Sequence, residues 1–151
     1  MVLGVRLNME ALMERSRITP EQFFNGLLAA IRLQEKTGVI QGEQTEVHRA
    51  FYRVLKELQK SAVLDVDLFE VDYDPLYGQS GWFDRALTTA QRDAIIGFAN
   101  PSYKNITIKY SEGEGEEILN SIGAREEFQR LAEVFTGSLV AVAAQGRGSS
   151  F

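Results

Sequence analysis

Apolar positions recur at helical spacing along most of this chain and at strand spacing in a few short pieces. Met9, Leu12 and Met13 share one side of a short amphipathic stretch over residues 8–16. Thr19-Pro20-Glu21-Gln22 reads as a helix start: Thr19 can cap, Pro20 suits the first helical position and Gln22 can complete a capping box. Ile18 and Phe23 are spaced for a hydrophobic staple. Phe24, Leu27, Leu28 and Ile31 then repeat on one face, and Thr37-Gly38 ends the helix with Gly38 as a left-handed cap. Over 42–60, Val47, Ala50, Phe51, Val54, Leu55 and Leu58 make a complete apolar stripe. Arg49, Arg53, Lys56 and Lys60 occupy the remaining surface as the only basic face of any length.

From residue 68 the period changes. Phe69, Val71 and Tyr73 alternate with Glu70 and Asp72, which predicts a half-buried strand over 68–73, closed by Asp74-Pro75. After a loop holding Gly78 and Gly81, Ser80 can cap a helix to about residue 93 whose inner side includes Phe83, Leu87, Ala90 and Ala94. Two apolar runs follow, 94–98 and 106–110, separated by the turn-forming Ala99-Asn100-Pro101-Ser102-Tyr103-Lys104-Asn105. They predict a β-hairpin directly after the helix. Ser111-Glu112-Gly113-Glu114 resembles a capping box before Ile118, Leu119 and Ile122. A last helix from Ala124 lines up Phe128, Leu131, Ala132, Phe135, Leu139 and Val142, and the glycines near the end predict a frayed, flexible tail over 146–151. The expected fold is α+β and mostly α, as one domain over 1–145. It has a winged-helix-like core, a small antiparallel sheet and extra N- and C-terminal helices.

Composition narrows the function classes. The 151 residues fit one domain, and no run approaches the ~20 apolar residues of a bilayer span. The first six residues are too short an apolar stretch for a secretory signal. With no cysteine, a cytoplasmic setting is the default expectation. Net charge is −5 and unevenly spread. Residues 1–60 hold nine Lys/Arg against seven Asp/Glu, whereas residues 61–151 hold seven against fourteen. The expected helix and hairpin lie in the acidic part, which counts against phosphate binding there.

Three stretches carry a resemblance. Leu27-Leu28-Ala29-Ala30-Ile31, Gly42 and the helix with Val47, Phe51 and Leu55 look like an opening helical pair. Phe69-Glu70-Val71-Asp72-Tyr73-Asp74-Pro75-Leu76-Tyr77-Gly78 looks like an aromatic strand entering a Tyr-Gly turn, and 80–110 supplies helix and hairpin. Over roughly 20–120 the chain thereby resembles the Panacea-type, phage-associated antitoxin domains, and winged-helix modules more broadly. That family usually has proline after the turn glycine, where Gln79 stands here. The resemblance implies a non-enzymatic role, binding or presenting a partner protein, with DNA contact in some relatives, and it carries over no catalytic residue.

The candidate chemistry is sparse. His48, the single histidine, sits one step off the apolar stripe and reads as a helix residue rather than a general base. Glu70, Asp72 and Asp74 would share a strand face and could hold Mg²⁺ or Ca²⁺, but a charged outer face that keeps water on the strand is the preferred account and no metal is expected. Gly113 and Gly115 lie among glutamates, which repel phosphate, and no phosphate-loop motif is present. The aromatic residues are the stronger signal. Tyr77, Trp82 and Tyr103 sit on loops or beside glycine and proline and are the candidate partner-binding residues, with core filling the equal alternative. Arg85, Arg92, Lys104 and Lys109 are the candidate nucleic-acid contacts, too few for strong binding. The resulting expectation is a regulatory protein-interaction module with a protein partner and no cofactor, not an enzyme and not membrane-bound. DNA-binding transcriptional regulation stands as the alternative, and self-association as a homodimer through the apolar end of the last helix is a further expectation beside the protein partner.

Overall fold

The computed structural model describes residues 16–98 and 105–149. Its chain order is β1 (Ser16–Ile18), α1 (Pro20–Gln34), β2 (Val39–Gln41), α2 (Gln44–Gln59), β3 (Leu64–Val66), α3 (Gly81–Arg92), β4 (Ile96–Phe98), β5 (Asn105–Ile108), α4 (Glu112–Ile122) and α5 (Arg125–Ser149). The fold is α+β, mostly helical, with a small antiparallel sheet. No helix among the described residues is long and apolar enough to cross a membrane. The amphipathic stretch expected over 8–16 lies outside the described residues, apart from Ser16, which opens β1.

The start of α1 follows its sequence. Thr19 accepts from the Gln22 backbone N–H while Gln22 accepts from that of Thr19, with Pro20 inside the first turn. Seven apolar side chains between Phe23 and Ile31 are buried, more than one stripe holds, so α1 is the central helix rather than a surface one. It packs against α4 and α5. Gly26 permits that approach, because a Cβ there would lie 2.6 Å from the Phe128 ring. The helix ends at Gln34, and Gly38 takes its left-handed conformation (φ 70°) three residues past the cap, in the turn into β2.

On α2 every member of the expected stripe is buried. The sheet has the order β2-β5-β4, antiparallel throughout, with Ile40 opposite Ile106 and Ile96 opposite Ile108. Ile40, Ile96, Ile106 and Ile108 form its buried face. The hairpin directly after a helix is therefore present, and β2 joins it as a third strand. A separate parallel pair joins β1 to β3, with Ser16 opposite Leu64 and Ile18 opposite Val66.

The strand expected over 68–73 is absent. That segment belongs to a long connection between α2 and α3, which past β3 has one isolated bridge, joining Asp74 to Gln79. The Asp67 side chain accepts from the Phe69 N–H and the Leu68 carbonyl from the Val71 N–H, so the backbone turns where a strand would run straight. Both later caps hold: Ser80 caps α3 through its side chain, and Ser111 with Glu114 closes a capping box on α4. Along α5, Phe128, Leu131, Ala132, Phe135 and Leu139 are buried as expected. Its backbone stays helical to Ser149, past the onset of the expected tail.

Candidate protein-docking site

The α2–α3 connection is fastened from several directions. Ser61 Oγ accepts from the Val63 and Leu64 backbone N–H groups as the chain leaves α2. The Tyr73 ring stacks on Tyr52 of α2, centroids 4.1 Å apart, and Lys56 Nζ lies 4.8 Å from the Tyr52 ring centre. Asp72 accepts from the backbone N–H groups of Gly81 and Trp82 at 3.1 and 2.9 Å, capping α3 from outside its own turn. The Trp82 N–H, the Gly81 N–H and the nearby Arg85 hold the Asp72 carboxyl below its usual pKa. Ser80 is fully buried: its hydroxyl oxygen accepts from the Phe83 N–H, and its own N–H donates to His48 Nδ1 at 2.9 Å.

This fastened connection displays apolar side chains. Phe69 is 93% exposed, Leu76 82% and Tyr77 70%. A phenylalanine left in water forgoes about 2 kcal/mol that burial would yield. The sheet and helices leave these three outside the core, while Asp67 and Asp74 fix the backbone beside them, donated to by the Phe69 and Leu76 N–H groups.

Next to the connection lies a groove of about 480 Å³ between α1 and α3. Its floor includes Phe24, Trp82, Ala90 and Ile95, and its rim carries Glu21, Glu70, Asp93 and Arg85. Glu70 belongs to the connection, so the groove meets the displayed loop next to Phe69.

The sequence-named residues fare unevenly. Tyr77 is on the surface, as a partner-binding residue must be. Trp82 is not: at 8% exposure it stacks parallel to Phe51 (6.0 Å) and meets Phe24 edge-on (6.1 Å). The indole is a core residue with an edge in the groove, because the buried side of α3 takes in Trp82 as well as Phe83. Tyr103 and Lys104 lie outside the described residues. Arg85, Arg92 and Lys109 are exposed, but Arg85 faces Asp72 and Arg92 lies 3.7 Å from Asp93. Of the apolar end of the last helix proposed for self-association, Leu139 is buried in this chain's own core, and the side chains of 140–149 lie outside the description.

The carboxylate trio dissolves as well. Without a strand, Glu70, Asp72 and Asp74 do not share a face: Glu70 rims the groove, Asp72 caps α3 and Asp74 holds the Leu76 N–H. Among the described residues no group of three His, Cys, Asp or Glu is arranged to hold a metal ion. Phe69 and Leu76 are the additions that sequence reasoning missed. The Asp67-x-Phe69 and Asp74-x-Leu76 spacings, which suit Asp side chains bonding two residues ahead, were the available signal. Comparison with protein-family models, curated proteins and solved structures returned no match.

Proposed function

We propose that this chain is a non-enzymatic regulatory module that docks a partner protein through the α2–α3 connection, on a winged-helix frame of the antitoxin-like kind. Three large apolar side chains held in water on a braced connection carry this reading. A braced loop loses little conformational entropy on binding, which is how a docking surface gains affinity. The frame is supported by the order helix–strand–helix–strand–helix–strand–strand from α1 to β5, in which β2 is seated beside β5 in the three-stranded sheet and β3 stands apart, paired with β1. Pull-down from the native host tests the reading. Phe69→Asp and Tyr77→Ala are expected to keep the melting temperature of the parent. Phe69→Asp should weaken capture of the specific partner by about 2 kcal/mol, roughly thirtyfold, as a central contact does. Undiminished capture by both variants would remove the connection from the interface.

The same element order favours DNA regulation as a second reading. Its contacts would come from Arg49, Arg53 and Lys56 on α2 and Lys60 at its C-cap, all exposed; the α3 arginines have carboxylates beside them, as Lys60 has in Glu57 at 3.9 Å.

A further inference from the structure

We infer that the groove between α1 and α3 receives an apolar peptide segment flanked by basic residues, supplied by the partner protein; this rests on the docking reading and names what the partner brings. The volume, about 480 Å³, is in the range of ligand-binding clefts. Its floor of Phe24, Trp82, Ala90 and Ile95 offers an aromatic and aliphatic surface to an apolar side chain. The rim sets the sign of the flanks. Glu21, Glu70 and Asp93 are exposed carboxylates, and the one base among the lining residues, Arg85, already faces Asp72. The Arg92–Asp93 pair is exposed at 3.7 Å and holds Asp93 only weakly. An acidic or neutral segment would gain the floor and be repelled or ignored by the rim. A basic one gains both. Continuity with Phe69, the neighbour of Glu70 on the connection, lets one partner surface cover groove and loop together.

Trp82 is the only tryptophan in the chain and lines the floor, so its fluorescence reports occupancy directly. The test titrates the full chain with a synthetic amphipathic peptide of leucine and lysine, against its leucine/glutamate counterpart, following Trp82 emission and calorimetric heat. The lysine peptide is expected to bind at one site, shift the emission and weaken as salt rises, while the glutamate peptide leaves the emission unchanged. Reversing the rim with Glu70→Lys and Asp93→Lys, both at exposed positions, should weaken the lysine peptide by about tenfold or more. Emission that neither peptide moves, equal binding of both, or full binding by the reversed variant overturns the inference. Partner capture that depends on Phe69 but ignores the reversal defeats the groove and leaves the docking reading standing. A peptide that binds as described while both Phe69→Asp and Tyr77→Ala capture the partner undiminished removes the connection and leaves the groove.

Discussion

His48 joins the core to the α2–α3 connection through one atom. The ring is 2% exposed, meets Phe83 edge-on at 4.9 Å, and its Nδ1 accepts the Ser80 N–H, so the folded state holds a neutral imidazole. Burial lowers the His48 pKa from 6.5, against the opposing pull of Asp84 and Asp72. The unfolded chain therefore binds more protons than the folded one in the window just below the ordinary value. Stability from this group is full above pH 6.5 and falls as the solution is acidified through the lowered pKa, by at most about 1.4 kcal/mol per pH unit. Urea unfolding at about pH 5 and pH 7.5 should show the loss, and His48→Asn should flatten it. A variant with the same pH slope as the parent would mean that His48 does not titrate on unfolding. The sequence marks this residue only as a neighbour of the apolar stripe. Its acceptor role depends on Ser80, thirty-two residues away, and no local pattern announces such a partner.

Among the elements, α3 ends in a way that aims the hairpin. The Ile95 N–H donates to the Ala90 carbonyl and the Ala94 N–H to that of Gln91, the double bond of a Schellman closure. Ala94 takes the left-handed position (φ 60°), where glycine is usual and a Cβ costs about 1–2 kcal/mol. The turn is kept at that cost because it sends Ile96 straight into the core, fully buried. Ala94→Gly should therefore raise stability by about 0.5–1 kcal/mol, after glycine's greater freedom in the unfolded chain is deducted. Thermal unfolding measures this, and a destabilised variant would show that the turn is unstrained. Helices with full stripes and side-chain caps were legible because both signals are local: Thr19, Ser80 and Ser111 each cap as their spacing predicts. β1, β2 and β3 were not, since three residues are too few to display a period and no turn-forming linker joins them to a second apolar run, as 99–105 joins β4 to β5. The alternation at Phe69, Val71 and Tyr73 misled for the opposite reason. It satisfies the strand rule, but no neighbouring strand is there to pair with it.

At the scale of the molecule, charge decides between the two functional readings. The connection and the groove rim are acidic, and the α2 face with Arg49, Arg53, Lys56 and Lys60 is basic. Four phosphate contacts on duplex DNA would give a salt slope of about −3.6 in log K against log salt. If the chain regulates DNA directly, a gel shift at low salt should be lost on reversing Arg53 and Lys56 to glutamate, with Phe69→Asp still shifting. No shift with any duplex, beside a Phe69-dependent partner capture, leaves the protein-docking reading alone. The parallel pairing of β1 with β3 adds a consequence of its own. Ser16 meets Leu64 across forty-eight residues, so the join closes a long loop that holds α1, β2 and α2, and its entropic cost falls on the pairing itself. The near end of the displayed loop is thus tied down by a contact distant in sequence rather than by a local turn. Loosening β1 from β3 would therefore slacken the stretch that leads to Phe69, without touching the helices themselves.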